Sequence, residues 1–198
     1  MIRSASARTL CALVGLAATA SAANAAMITF IHTAVDGSGF VGSTEFIRKD
    51  ITITAVGDTT ARVDLLGGFA IQHISASITI EDVGTFDFLV PTRTYVNNET
   101  EAAGFSRSAD GGENGLDLVD SGQDPSLAAW DMLSSIGPVS GDGGFLQWAA
   151  QDVLTSGGVL FFNNNSGLGG TFEAIVIPAP ASAGVLALAG IGFARRRR

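Results

Sequence analysis

The sequence is poor in cysteine, histidine and positive charge, and each shortage closes off a class of chemistry. Its one cysteine, Cys11, sits in an apolar stretch near the N-terminus. Everything beyond that stretch therefore has no disulfide, no thiol nucleophile and no thiolate metal ligand. Only two histidines occur, His32 in ITFIHTAV and His73 in FAIQHISAS, each within a strand-like run. Neither lies near a G-x-S-x-G pattern, so no hydrolase triad is indicated. Two histidines without cysteine or an HExxH spacing leave few tetrahedral zinc sets. No glycine-rich loop follows a strand and opens a helix in the manner of a nucleotide cradle. Of the 11 basic residues, six are arginines near the termini (Arg3, Arg8, Arg195, Arg196, Arg197 and Arg198). The remaining five face all 19 acids, which gives the central body a formal net charge of −14. Such a body repels nucleic acid and anionic membrane surfaces; it suits solubility outside the cell or the binding of cations.

What is present falls into three parts. Residues 1–25 read as a secretory signal peptide. Arg3 and Arg8 form its positive region, Leu10 to Ala20 its apolar helix, and Ala23-Asn24-Ala25 its small-residue cleavage site. Cys11 lies inside the apolar run and does not end it, which excludes a lipidation site. Residues 26–177 form the acidic body, about 150 residues and so enough for one core without disulfides. Residues 178–198 form a hydrophobic, basic tail.

That tail, with the residue before it, reads IPAPASAGVLALAGIGFARRRR. Pro178-Ala179-Pro180 makes a short break, Ala181 to Ala194 is an unbroken run of 14 apolar or small residues, and Arg195 to Arg198 close the chain. As a helix the run covers roughly 21 Å, short of the ~30 Å hydrocarbon core. It spans if the residues before it are partly buried and the arginines snorkel, holding that end on the cytoplasmic side. This order of parts resembles the PEP-CTERM sorting signal of Gram-negative bacteria, although Ala179 stands where the name-giving motif has Glu. The resemblance implies recognition near Pro178, Ala179 and Pro180 by an exosortase-type membrane enzyme, with release or transfer to the surface. It also implies a setting of exopolysaccharide production and biofilm. A plain, uncut membrane anchor is the alternative. Phrases of the body (GSTEFIRKDITITAVGDTT, NGLDLVDSGQDP, SIGPVSGDGGFLQW and GGVLFF) are similar to uncharacterised exported PEP-CTERM proteins, a likeness that implies a compartment and a β-fold but no chemistry.

The body reads as short strands between turns. Ile74, Ala76, Ile78 and Ile80 alternate with Ser75, Ser77, Thr79 and Glu81. Ile51-Thr52-Ile53-Thr54 and Phe86-Asp87-Phe88 keep the same period. Val63 and Leu65 are expected to face inward, as are Phe172, Ala174 and Val176. Turn signals occur at Asp36-Gly37, Gly57-Asp58, Gly67-Gly68, Asp142-Gly143-Gly144 and Asn163-Asn164-Asn165. The fold class expected is all-β, an antiparallel β-sandwich or jelly roll. One short helix is expected over 124–133, with Asp124 as N-cap, Pro125 at its first position, and Leu127, Trp130 and Leu133 on its buried face.

Two ligand chemistries remain open. Asp110-Gly111-Gly112-Glu113-Asn114-Gly115 through Asp120 half-matches a calcium loop, with Asp110, Asn114, Asp117 and Asp120 as candidate metal ligands. Gly112 stands at the third loop position and Ser121 where a bidentate Glu belongs. An acidic, glycine-rich surface loop explains the same residues and is favoured by those mismatches. Trp130, Trp148 and Tyr95 are candidate sugar platforms if exposed. Carboxylate pairs are abundant but none is singled out, so a matrix glycoside hydrolase ranks third. The reading is an exported, surface-directed, non-enzymatic protein, structural or adhesive in an envelope or extracellular matrix. A carbohydrate- or calcium-dependent binding module is the alternative. Calcium is the one cofactor the pattern admits, and the partners are the processing enzyme, the membrane before processing, and extracellular polysaccharide.

Overall fold

The computed structural model describes residues 26–108, 115–163 and 169–177. The expected signal helix (1–25) and the expected sorting helix (178–198) lie outside the described residues. Eleven antiparallel strands are described: β1 Met27–Val41, β2 Thr44–Leu65, β3 Gly68–Ile80, β4 Gly84–Asp87, β5 Thr92–Asn97, β6 Ala102–Arg107, β7 Leu116–Gln123, β8 Ile136–Gly141, β9 Val153–Thr155, β10 Gly158–Phe162 and β11 Gly170–Ile177. Among the described residues no helix is long and apolar enough to cross a membrane.

Three long strands, β1, β2 and β3, form a spine of consecutive hairpins. Each outer edge of the spine is shared by two shorter strands. β11 takes Met27 to His32 of β1, and β10 takes Gly39 to Val41. On β3, β5 takes Gly68 to Gln72 and β4 takes Ser77 to Ile80. The sheet then curls until its ends meet. At one end Leu89 N donates to Leu154 O at 2.9 Å and Ser156 N to Asp87 O at 2.8 Å, tying β9 to the end of β4. At the other, the chain after β8 crosses to β7: Asp120 N donates to Gly144 O at 3.0 Å and Leu146 N to Leu118 O at 2.9 Å. That crossing requires glycine, since a Cβ on Gly143 would collide with the Asp120 carbonyl.

The curl exists because one face of each strand is apolar. Ile28, Phe30, Ile51, Ile53, Ile78 and Ile80 are fully buried on the spine. Phe145 stacks on Phe162 at 3.8 Å between centroids, with Trp148 edge-on at 4.7 Å. Each buried side chain of this size contributes roughly 1.5–3 kcal/mol.

Several expectations meet corrections of register. Ala76, Ile78 and Ile80 are buried as expected, but Ile74 is 65% exposed. The pairing with β2 slips between Val56↔Ser75 and Gly57↔His73, so Ile74 is the extra residue of a bulge and the parity changes there. A second slip, between Gly57 and Arg62, puts Val63 outside at 42% exposure. Arg62 takes the inward-leaning place instead, with its guanidinium 4.3 Å from the Phe69 ring centroid. Asp36-Gly37 and Gly57-Asp58 are not chain reversals; each marks an irregularity inside a long strand. Gly67 is a reversal, at φ +80° in the β2–β3 turn.

The expected helix over 124–133 is a single 3₁₀ turn, Pro125–Leu127. Its cap is as expected: Asp124 accepts from Ser126 N at 2.8 Å and Ser126 Oγ at 2.6 Å. Beyond it the chain is irregular: Asn98 Nδ2 donates to the carbonyls of Leu127 and Trp130, at 2.6 and 3.0 Å, and Met132 adopts φ +61°. Met132 is consequently buried and Leu133 exposed, the reverse of the helical expectation.

Candidate functional site

Polar side chains converge on opposite faces of β5. Along this strand Thr92, Thr94 and Val96 turn toward the core, while Arg93 and Tyr95 turn the other way.

On the core side, His73 sits between two hydroxyls, Nδ1 at 2.8 Å from Thr92 Oγ1 and Nε2 at 3.0 Å from Thr94 Oγ1. His32 Nε2 reaches the same Thr94 hydroxyl at 3.2 Å, and His32 Nδ1 is buried without a partner. Aromatic rings close the group: Phe105 stacks on His73 at 5.4 Å and Phe172 lies 4.9 Å from His32. The β3 bulge is what turns His73 inward. Burial lowers both imidazoles to about 3, and for His73 the neighbouring His32 adds to the effect. Both rings are thus neutral at pH 7. Their hydrogen bonds go to threonines and not to a carboxylate, so the orienting acid of a triad is missing from this pair. The arrangement acts as a polar staple joining β1, β3 and β5. His73 also forms one wall of an open groove of ≈ 330 Å³, shared with Thr92 and Phe88.

On the other face, Arg93, Ser106 and Asp117 lie in one cross-strand row of β5, β6 and β7, and Tyr95, Gly104 and Asp120 in the next. Asp117 and Asp120 are three residues apart and would face opposite ways in a regular strand. The register shift between Phe105↔Val119 and Ser106↔Asp117 absorbs Leu118 and brings both carboxylates to one side. Arg93 is buried and its Nε donates to Ser106 Oγ at 2.9 Å. The Tyr95 hydroxyl donates to Asp117, and the phenol is raised, first by burial and then by the two carboxylates. Asp117 is also raised, chiefly by burial; Arg93 and the tyrosine bond oppose that shift and Asp120 reinforces it. Asp120 Oδ1 accepts from Gly122 N at 2.7 Å. Gly104 leaves space for the Tyr95 ring, which a Cβ there would strike.

Of the candidate metal ligands, then, Asp117 and Asp120 share a face, whereas Asp110 and Asn114 lie outside the described residues. Asp117 already has Arg93 as counter-charge. No group of three His, Cys, Asp or Glu side chains fit to hold a metal occurs among the described residues. The candidate sugar platforms are inside: Trp148 is buried with Nε1 donating to Leu118 O at 2.6 Å, and Trp130 is buried with Nε1 donating to Ser134 O at 2.8 Å. Tyr95 is mostly covered and bound to Asp117. Pro178, Ala179, Pro180, Arg195, Arg196, Arg197 and Arg198 lie outside the described residues. Arg93, Ser106 and Gly104 carry no local sequence signal; only strand register brings them to Asp117 and Tyr95.

Comparison with family models, with curated proteins and with solved structures finds no match to this chain.

Proposed function

We propose that this is an exported, surface-directed, non-enzymatic protein with a structural or adhesive role in a cell envelope or extracellular polysaccharide matrix. The observation that carries the reading is that Met27 and Ile177 are cross-strand partners. The expected signal peptide and the expected PEP-CTERM-like tail therefore join the body side by side. The tail continues β11, which is held on both edges, by β1 and by β8. A pull on the tail is resisted by shear along that ladder, a suitable arrangement for a tethered matrix component.

The surface chemistry supports the same role. Both indoles and the His32 imidazole are committed to the core and leave no exposed indole for stacking on a sugar ring. We read the curled sheet as a sandwich-like body, because His32 on β1 meets Phe105 on β6 at 5.9 Å although four strand-to-strand steps separate them along the sheet. The test is intact mass and terminal peptide mapping of the protein from each fraction of its host. A form beginning near Ala26, ending near Pro178–Pro180 and found at the surface or in the medium is expected. A form keeping Arg195–Arg198 in the membrane overturns exosortase-type processing.

The shared face of Asp117 and Asp120 favours one second reading, a calcium-dependent binding module. Thermal melting with and without millimolar calcium separates the two. Calcium at about a hundred times its dissociation constant adds roughly 2.7 kcal/mol and raises Tm by several degrees. A rise abolished in Asp120→Asn supports the module; an unchanged Tm supports the structural reading.

A further inference from the structure

The curled sheet has one more place where two of its strands meet, and there they touch without pairing. The cover that 144–147 lays on the edge of β7 ends at Asp120. Beyond it the main chain of Ser121 and Gly122 lies against Gly141, the last residue of β8, and Asp142. A Cβ on Gly141 would collide with the Ser121 carbonyl, and one on Gly122 would come within 2.6 Å of Asp142 N. Among the described residues no ladder joins β7 to β8. Beside this contact a cleft of ≈ 710 Å³ opens, walled by Gln123 from β7, Ser140 and Asp142 from the β8 side, and Gly169 and Gly170 at the entry to β11. Its volume falls in the range of small-molecule sites, roughly 300–1,000 Å³.

The lining is polar and unspent. Gln123, Ser140 and Asp142 are exposed, and among the described residues no hydrogen bond or ion pair engages their side chains. Carboxylates at other turns are used locally: Asp58, Asp120, Asp124 and Asp131 each accept from the backbone N–H two residues on. An amide, a hydroxyl and a carboxylate around a glycine floor can donate to and accept from several neighbouring hydroxyls at once. They offer little to an apolar ligand. Asp142 is the only charge among the described lining residues, and the body carries −14, so phosphate, sulfate and uronate groups are repelled. Of β7 only Gly122 and Gln123 reach the cleft, too short a row for a peptide strand to add to. We propose that this cleft binds an uncharged oligosaccharide through hydrogen bonds to Gln123, Ser140 and Asp142. This rests on the reading of the protein as a component of an extracellular polysaccharide matrix, to which it gives a contact site. With no aromatic ring to stack on the sugar, a single site binds weakly, on the order of millimolar.

The test is an amide-shift titration of the full chain, in a zwitterionic detergent, with cellotriose, maltotriose and N-acetylated chitotriose. Trigalacturonic acid serves as the anionic counterpart. At least one neutral trisaccharide should shift the amides of 122–123, 140–142 and 169–170 together, and trigalacturonic acid should shift none of them. Gly169 adopts φ +67° and a Cβ there meets nothing within 4 Å, so the cleft has room for a side chain. Gly169→Asn places there a residue that tolerates this backbone and should weaken binding about tenfold by filling the cleft. Gln123→Ala, a change at an exposed side chain, should weaken it severalfold with Tm unchanged. Shifts confined to other residues, or binding undiminished in both variants, overturn the cleft and leave a matrix role standing. Equal shifts with trigalacturonic acid show general adsorption and also overturn it. So does the absence of any shift with the neutral trisaccharides up to about 10 mM. The matrix reading fails separately, if the full chain does not cosediment with polysaccharide from its host.

Discussion

At the scale of single residues, the two histidines are the most informative groups. Each has an ordinary unfolded value of 6.5 and a folded value of about 3, so between those limits the unfolded chain binds more protons than the folded one. Stability is therefore full above about pH 6.5 and falls as the pH drops toward 3. One pKa unit corresponds to ~1.4 kcal/mol, and the two rings together make acidification cost several kcal/mol. Urea unfolding at pH 7, 5.5 and 4.5 should show this decline. In His32→Phe the slope should be markedly shallower; parallel slopes would refute the assignment. Gly104 supplies a second prediction at this scale. A methyl there strikes the Tyr95 ring, so Gly104→Ala should cost about 1–3 kcal/mol. The same change in a Tyr95→Leu background should cost much less, because the pair is coupled through one contact. Neither effect could be read along the chain. Gly104 and Tyr95 are nine residues apart, and only the pairing of β5 with β6 sets one over the other.

At the scale of elements, period-two alternation located the spine and failed wherever a strand changed parity. Ile51, Ile53, Ala76, Ile78 and Ile80 are core residues as their pattern implies. Ile74 and Val63 obey the same pattern and are exposed, because a bulge has no signature in hydrophobicity and each extra residue swaps the faces of the residues on its far side. Asp36-Gly37 and Gly57-Asp58 look like turns for a related reason: the glycine that permits a reversal also permits an irregularity within a strand. The segment after Asp124 differs in kind. Its cap was legible because Asp-Pro-Ser is a local signal, whereas the path after it is held by Asn98, some thirty residues away, whose side-chain amide donates to the carbonyls of Leu127 and Trp130. Removing that side chain should loosen the segment without unfolding the sheet. Asn98→Ala is expected to cost about 1–3 kcal/mol, to red-shift Trp130 emission and to speed amide exchange over 127–134. Unchanged exchange there would mean that the segment is held by Leu127 and Trp130 packing alone.

At the scale of the whole molecule, closure of the sheet and adjacency of the chain ends are one design. An open antiparallel sheet of this length would expose two edges to other copies of itself. Here the β9 edge meets Asp87–Leu89, and the β7 edge is covered by 144–147, so these two edges are spent within the body. Net charge adds a second barrier to association, since bodies of −14 repel one another at low salt. Closure also brings β11 beside β1, which is why Met27 and Ile177 meet. If the fold depends on that closed set of pairings and not on the order in which the chain visits them, the ends can be moved. A circular permutant that joins Ile177 to Met27 through a short glycine–serine linker and opens the exposed Gly42–Ser43 turn keeps every ladder. It should show the β-type circular dichroism of the parent and a cooperative melt, destabilised only by the loss of the β1–β2 turn as a tether. A permutant that stays unfolded would show that the β1–β2 hairpin must form first as a local unit and that closure alone does not specify the fold. The hairpin is the natural place for such a nucleus, because it joins the two longest described strands through a two-residue loop.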